Sequence, residues 1–186
     1  GMSIKVLFEQ LQSLRKEVDL PVVLMGYINP IEQFGIERFC QKGQEVGVDG
    51  LILPDLPMFE YQEVLKPIFE KYGLLNTFLI TPQTSEARIR EIDDHSKGFI
   101  YMVSSASTTG AKTGISSEQE VYFKRIKAMN LKNPTLIGFG ISDKESFDKA
   151  SANGNGAIIG SAFIKAISKD GDLKENIHRF IKGIIN

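Results

Sequence analysis

The sequence has one cysteine, Cys40, so it forms no internal disulfide and holds no cysteine-rich metal site. It has two histidines, His95 in a loop after a charged helix and His178 on the last helix. Both read as solvated, and neither joins a Ser-His-Asp or metal-ligand pattern. No apolar run approaches the ~20 residues of a membrane-spanning helix. No basic start with an apolar centre marks a secretory signal. Net charge is only −1, which gives no pull towards nucleic acid or an acidic membrane. These absences together predict a cytoplasmic soluble protein without metal. Gly1 ahead of Met2 reads as a residue left by tag removal.

The richest stretch runs from Leu136 to Ile164, LIGFGISDKESFDKASANGNGAIIGSAFI. Leu136-Ile137 is an apolar strand broken by Gly138-Phe139-Gly140. Ser142 with Glu145 reads as a capping box that starts a helix. Asn153-Gly154 stops that helix. Gly156 to Ile159 is a second buried strand, and Gly160-Ser161 leads into another helix. Two strands thus end in glycine beside helix starts, one β/α unit apart. Glycine admits close approach of a ligand to the backbone, and helix N-termini favour an anion. The pattern predicts a phosphate cup, although each turn alone would read as a tight βα connection.

The rest of the chain alternates in the same way. Residues 3 to 16 carry Ile4, Leu7, Phe8, Leu11 and Leu14 at helical spacing. Pro21 to Met25 is a strand, and 26–30 a turn. Ile31 to Val46 is a helix facing the core with Ile31, Phe34, Phe39 and Cys40. Gly50 to Leu53 is a strand closed by Pro54-Asp55-Leu56-Pro57. Glu60 to Tyr72 is a helix with Tyr61, Val64, Leu65, Ile68 and Phe69 inward. Asn76 to Ile80 is a strand, Ser85 to Asp94 a helix, and Gly98 to Val103 a strand. Ser117 with Glu120 caps a helix to about Met129. Asp172 with Glu175 caps a final helix with Leu173, Ile177, Phe180, Ile181 and Ile184.

The strands are continuous apolar runs, as expected of parallel strands covered on both faces. Six strands alternating with helices, after an opening helix, fit an incomplete (β/α)₈ TIM barrel: six of eight units in a single domain over 1–186. An open doubly wound sheet also accommodates six strands, but no GxGxxG follows the first strand. In a barrel, chemistry gathers at the C-terminal strand ends. Here those ends carry Tyr27 and Asn29, Asp55, Thr81, Tyr101 and Ser104, Phe139 and Gly140, and Gly160 and Ser161. None is a lysine, which argues against a Schiff-base aldolase. Asp55 is the only carboxylate among them, and it reads equally as a turn or cap residue. Tyr101 reads equally as a packing ring or a site residue. The polar loop from Ser104 to Ser116, with Thr108 to Gly114 at its centre, reads as a lid or as an unstructured insertion.

The motifs GYINP (26–30), DGLILPDLP (49–57), GFIYMVSSASTTGA (98–111), IGFGIS (137–142) and GAIIGSA (156–162) occur in an order that resembles the α subunit of tryptophan synthase, a carbon–oxygen lyase family. The resemblance runs through essentially the whole chain. It implies retro-aldol cleavage of indole-3-glycerol phosphate to indole and glyceraldehyde 3-phosphate, in tryptophan biosynthesis. It implies no cofactor in this subunit, and pyridoxal phosphate in a β partner within an α₂β₂ tetramer. The phosphate would be held at Gly110, Gly140, Gly160 and Ser161, with Phe139 at the same cup. Tyr27, Ile52 and Asp55 would border the indole end. Tyr101 would support the catalytic carboxylate, Thr109 would belong to the lid, and Asn29 and Pro57 would lie near the β contact.

In that family the catalytic pair is a glutamate at the end of the first strand and an aspartate in the loop after the second, and Met2-Ser3-Ile4 resembles the helix after that second loop. The expectation is therefore a chain that lacks the first two β/α units, binds phosphate weakly, turns over little or nothing alone, and associates with itself to hide open sheet edges. The competing readings are another phosphate-binding barrel, an isomerase or epimerase, and a non-catalytic phosphate-binding fragment.

Overall fold

The fold is described from a computed structural model, for residues 1–104, 116–138 and 140–186. It is α/β, and every strand pairing is parallel. The chain divides into two compact units, residues 1–78 with 95–98, and residues 79–94 with 99–186.

In the first unit, α1 (Ile4–Leu11) is capped by the Ser3 hydroxyl, which accepts from the Val6 N–H. It is followed by a short α2 (Leu14–Glu17), so residues 3–16 form two helices where one was expected. Strands β1 (Val23–Met25), β2 (Gly50–Ile52) and β3 (Leu75–Thr77) form a sheet in that order. Between β1 and β2 lie α3 (Ile28–Phe34) and α4 (Ile36–Val46). The expected turn at 26–30 is thus already helical from Ile28. The expected helix over 31–46 breaks at Gly35, whose φ of +96° and ψ of 113° suit only glycine. Phe8 of α1 meets Phe39 edge-on at 5.2 Å and Phe34 at 6.0 Å, which closes the helical side of this core. Cys40 is fully buried, and burial pushes its thiol up to about 12, so it is an inert packing residue.

The segment after β2 departs furthest from simple periodicity. It comprises α5 (Met58–Glu60), a π-helical turn (Tyr61–Leu65) and α6 (Lys66–Lys71). The wide turn spaces its buried residues at intervals of four, Tyr61, Leu65 and Phe69. It carries Val64, expected inward, out to solvent at 53% exposure.

The second unit holds β4 (Leu79–Ile80), β5 (Ile100–Val103), β6 (Thr135–Gly138) and β7 (Gly156–Ile158), in that order. The single strand expected over 76–80 is therefore two, divided at Phe78. The helices are α7 (Glu86–His95), α8 (Ser117–Ala128), α9 (Lys144–Asn153), α10 (Ser161–Ile167) and α11 (Leu173–Ile185). Two capping boxes sit one residue away from expectation. Ser116 with Gln119 caps α8, and Asp143 with Ser146 caps α9. The Asp172 carboxylate accepts from the Glu175 N–H as expected. On α11 only Asn176 and Ile184 are buried, while Leu173 and Ile181 are exposed. Ile89, Ile100, Met102, Phe123, Ile137 and Ala150 are fully buried and form the core.

Two long-range ties lock the second unit. Asp93, 4% exposed, accepts from the backbone N–H groups of Lys132 and Asn133 at 2.8 and 2.9 Å and from the Asn133 side chain. It therefore fixes the loop that feeds β6. Burial alone would raise its carboxyl pKa, but the Asn133 side chain and those N–H groups outweigh burial and hold it below the usual aspartate value. Arg125 of α8 donates to the carbonyls of Pro82 and Thr84 at 3.0 and 3.3 Å, pinning the turn after β4. Among the described residues no helix is long and apolar enough to cross a membrane.

Candidate functional site

The predicted site residues fall into two groups, one in each unit. In the first unit they gather where β1 and β2 end. Ile52 closes β2, is 7% exposed, and lies in register with Met25 and Thr77. Asp55 follows in the stiff Pro54–Pro57 turn. Both of its carboxylate oxygens accept from the Ile28 N–H, at 3.1 and 3.2 Å. Ile28 is the first residue of α3, so Asp55 caps a neighbouring helix and complements its positive end. The cap alternative is therefore realised in Asp55. Tyr27, 67% exposed, precedes α3. Asn29 lies exposed in the first turn of α3 and accepts from Gln33 at 3.4 Å. Pro57 lies exposed before α5. Tyr27 also borders a largely apolar cavity of about 330 Å³, lined further by Ile4, Leu7, Leu24, Leu51 and Phe39.

The second unit holds Tyr101, Gly140, Gly160 and Ser161. Tyr101 is 6% exposed, in register with Leu136 on β6, and burial pushes its phenol pKa up. Its ring lies across Gly138, where a Cβ would collide with the ring and hydroxyl. Gly138 thus leaves the room that Tyr101 fills. Two residues on, Gly140 has a φ of +80° and open space where a Cβ would stand. Gly160 and Ser161 are exposed at the start of α10, and among the described residues no side chain caps its first N–H groups. Strand ends β6 and β7 are adjacent, so both glycine-bounded turns lie at one end of one sheet. Thr109, Gly110 and Phe139 lie outside the described residues.

Among the described residues no cluster of His, Cys, Asp and Glu could hold a metal. His95, expected in a solvated loop, is the last residue of α7, and its Nδ1 is buried without a hydrogen-bond partner among the described residues. His178 is exposed on α11, as expected. The Asp93 latch and the Arg125 clamp were not anticipated. Their partners lie 39 to 43 residues away along the chain, and no local pattern marks them.

The family model described as Tryptophan synthase alpha chain matches residues 1–183. The chain belongs to the tryptophan synthase alpha chain family. It is 58% identical to the tryptophan synthase alpha chain of Flavobacterium johnsoniae over 174 residues, 94% of this chain and 69% of the relative. The corresponding protein of Bacteroides fragilis is 50% identical, over 100% of this chain and 70% of that one. A mutant tryptophan synthase alpha-subunit from the hyperthermophile Pyrococcus furiosus matches with a TM-score of 0.88 at 30% identity. That match covers 100% of this chain and 74% of the other. The fold is accordingly of the TIM-barrel type, and the doubly wound alternative falls. Within the alpha chain family, the motifs that carried the resemblance are the ends of β1, β2, β5, β6 and β7.

Proposed function

We propose that this chain belongs to a lyase of tryptophan synthesis, the one that performs the retro-aldol cleavage of indole-3-glycerol phosphate to indole and glyceraldehyde 3-phosphate, and that its residues bind that substrate. The family match over residues 1–183 carries this reading. The second unit supports it with two glycine-bounded turns at adjacent strand ends, which suit a phosphate at Gly140, Gly160 and Ser161. On the same reading Gly110 and Phe139 join that cup, Thr109 belongs to a closing loop, and Tyr27 and Ile52 border the indole.

The cleavage breaks the bond between indole C3 and the glycerol chain. It needs one group to deliver a proton to C3 and another to take the proton from the hydroxyl that becomes the aldehyde. We infer that residues 1–186 grip the substrate and do not themselves supply this pair. Asp55 is engaged at the start of α3, and Tyr101, with its raised pKa, keeps its proton at neutral pH and serves to position a carboxylate. Indole would pass to a β subunit that holds pyridoxal phosphate, with Asn29 and Pro57 at that contact, in the cytoplasm. No cofactor would be needed here.

The test is indole release from indole-3-glycerol phosphate, followed by absorbance, beside binding of glyceraldehyde 3-phosphate by calorimetry. Binding without turnover is expected, weakened by Ser161→Asp. Turnover comparable to that of a longer relative, lost in Asp55→Asn, would make Asp55 catalytic and overturn the assignment.

A further inference from the structure

We infer that a cavity walled by α10, α11 and the start of α9 binds a free α-amino acid with an apolar side chain, at a site separate from the phosphate turns. The cavity holds about 270 Å³ and is lined by Ser142, Asp143, Lys169, Asn176, Arg179 and Phe180. All six belong to the second unit, and none lies on a strand. That volume sits just under the ~300–1,000 Å³ of ordinary ligand pockets, so the occupant is small. Gly160 and Ser161 stand at the start of α10, whereas Ala166 and Lys169 bring its far end to this cavity. The site therefore needs nothing from the reaction assigned above.

Charges of opposite sign line this space without meeting. Asp143 caps α9, and its carboxylate accepts from the Ser146 N–H at 2.9 Å and the Ser146 hydroxyl at 2.7 Å. Those bonds, the backbone one first, hold its pKa below the usual aspartate value, so it is anionic at neutral pH. Its second oxygen accepts only from the Ser142 hydroxyl, at 3.2 Å, among the described residues. On the other walls, neither the Lys169 ammonium nor the Arg179 guanidinium joins an ion pair or donates a hydrogen bond among the described residues. Asn176 is 6% exposed, and its amide nitrogen donates to the Lys169 carbonyl at 3.0 Å. Its amide oxygen accepts nothing among the described residues, and a buried acceptor left without a donor is costly. Phe180, edge-on to Phe163 at 5.6 Å, supplies an apolar wall. Gly183 also lines the cavity, with open space where a Cβ would stand, and neither a positive φ nor a close neighbour calls for glycine there. An amino acid answers each of these groups. Its carboxylate meets Arg179 and Lys169, its ammonium meets Asp143 and the Asn176 oxygen, and its side chain lies on Phe180 over Gly183.

The test is isothermal titration calorimetry of the whole chain with L-phenylalanine and L-leucine. Two analogues accompany them, 3-phenylpropionate, which lacks the ammonium, and phenylalaninamide, which lacks the carboxylate. L-phenylalanine is expected to bind at least about tenfold tighter than either analogue, the effect of one lost charge-assisted hydrogen bond. Arg179→Gln should weaken L-phenylalanine by about tenfold and leave phenylalaninamide unchanged. Gly183→Leu should fill the cavity and abolish binding, with circular dichroism to confirm that the variant folds. If leucine unfolds the chain, Gly183→Ala is used instead and should weaken binding. Saturating glyceraldehyde 3-phosphate should leave the affinity for L-phenylalanine unchanged. The inference is overturned if neither amino acid binds, or if L-phenylalanine and both analogues bind equally. Binding that Arg179→Gln leaves intact, or that a folded Gly183 variant leaves intact, also overturns it. So does displacement by glyceraldehyde 3-phosphate, which would place the amino acid at the phosphate turns.

Discussion

Gly138 has no side chain because the Tyr101 ring occupies the place where one would stand. The pair ties the residue after which β6 turns to the ring buried on β5, so each constrains the other. Gly138→Ala is expected to cost about 1–3 kcal/mol, since overpacking a filled core forces the ring out of its rotamer. Adding Tyr101→Ala should return part of that loss, because the second change vacates the space. Urea unfolding of the two single variants and the double variant measures the coupling. If the two costs simply add, the ring and the glycine do not compete. The sequence placed Tyr101 at a strand end and Gly138 in a glycine turn, but not one against the other. That relation is set by strand register, and no spacing along the chain encodes it.

At the scale of elements, Asp55 joins the end of β2 to the start of α3. Asp55→Ala is expected to destabilise the fold by about 0.5–2 kcal/mol, the usual cost of a lost N-cap, and Asp55→Asn by less. Thermal melts of both variants check the order. Equal losses would mean that charge, rather than hydrogen bonding, does the capping. Asp93 makes a comparable latch between α7 and the loop before β6, and it titrates. Its folded pKa lies below the ordinary value of 3.8, so its contribution is complete above that value. The contribution is lost as pH falls through the folded value, where the carboxyl protonates in both states. Stability measured through acid should therefore fall less steeply in Asp93→Asn than in the wild type. Identical acid profiles would remove Asp93 from the account.

These elements also show what local pattern carries. The apolar runs marked nearly every strand, because a parallel strand's burial is written in consecutive residues. Glycine stops and acidic caps marked helix ends to within a residue or two. The break at Gly35 carried a local sign, a glycine inside a helical period, and the period outvoted it. The π-helical turn at Tyr61–Leu65 carried none, because its extra residue is accommodated by packing around Tyr61 and Phe69. The glycine turns that end β6 and β7 were legible as a pair one unit apart, whereas the cap role of Asp55 depended on a partner 27 residues earlier.

For the molecule as a whole, the chain divides into two compact units, and that division frames a test of how stability is distributed. Asn76 sits on β3 in the first unit at 1% exposure, and neither atom of its amide has a hydrogen-bond partner among the described residues. A buried amide left unpaired costs about 1–3 kcal/mol, while an apolar residue of similar volume carries no such penalty. Asn76→Leu is therefore expected to stabilise the first unit. Local opening follows cooperative units, and hydrogen exchange reads each one separately. The variant should slow exchange of the amides in Gly50–Ile52 and Leu75–Thr77. It should leave those of Ile100–Val103 and Thr135–Gly138 unchanged if each core opens on its own. Equal slowing in both sheets would mean that the chain opens as one cooperative body, and the Gly138 and Asp93 changes would then also register in the first sheet. Faster exchange around β3 would show that the Asn76 amide is satisfied by bound water, which leucine cannot replace.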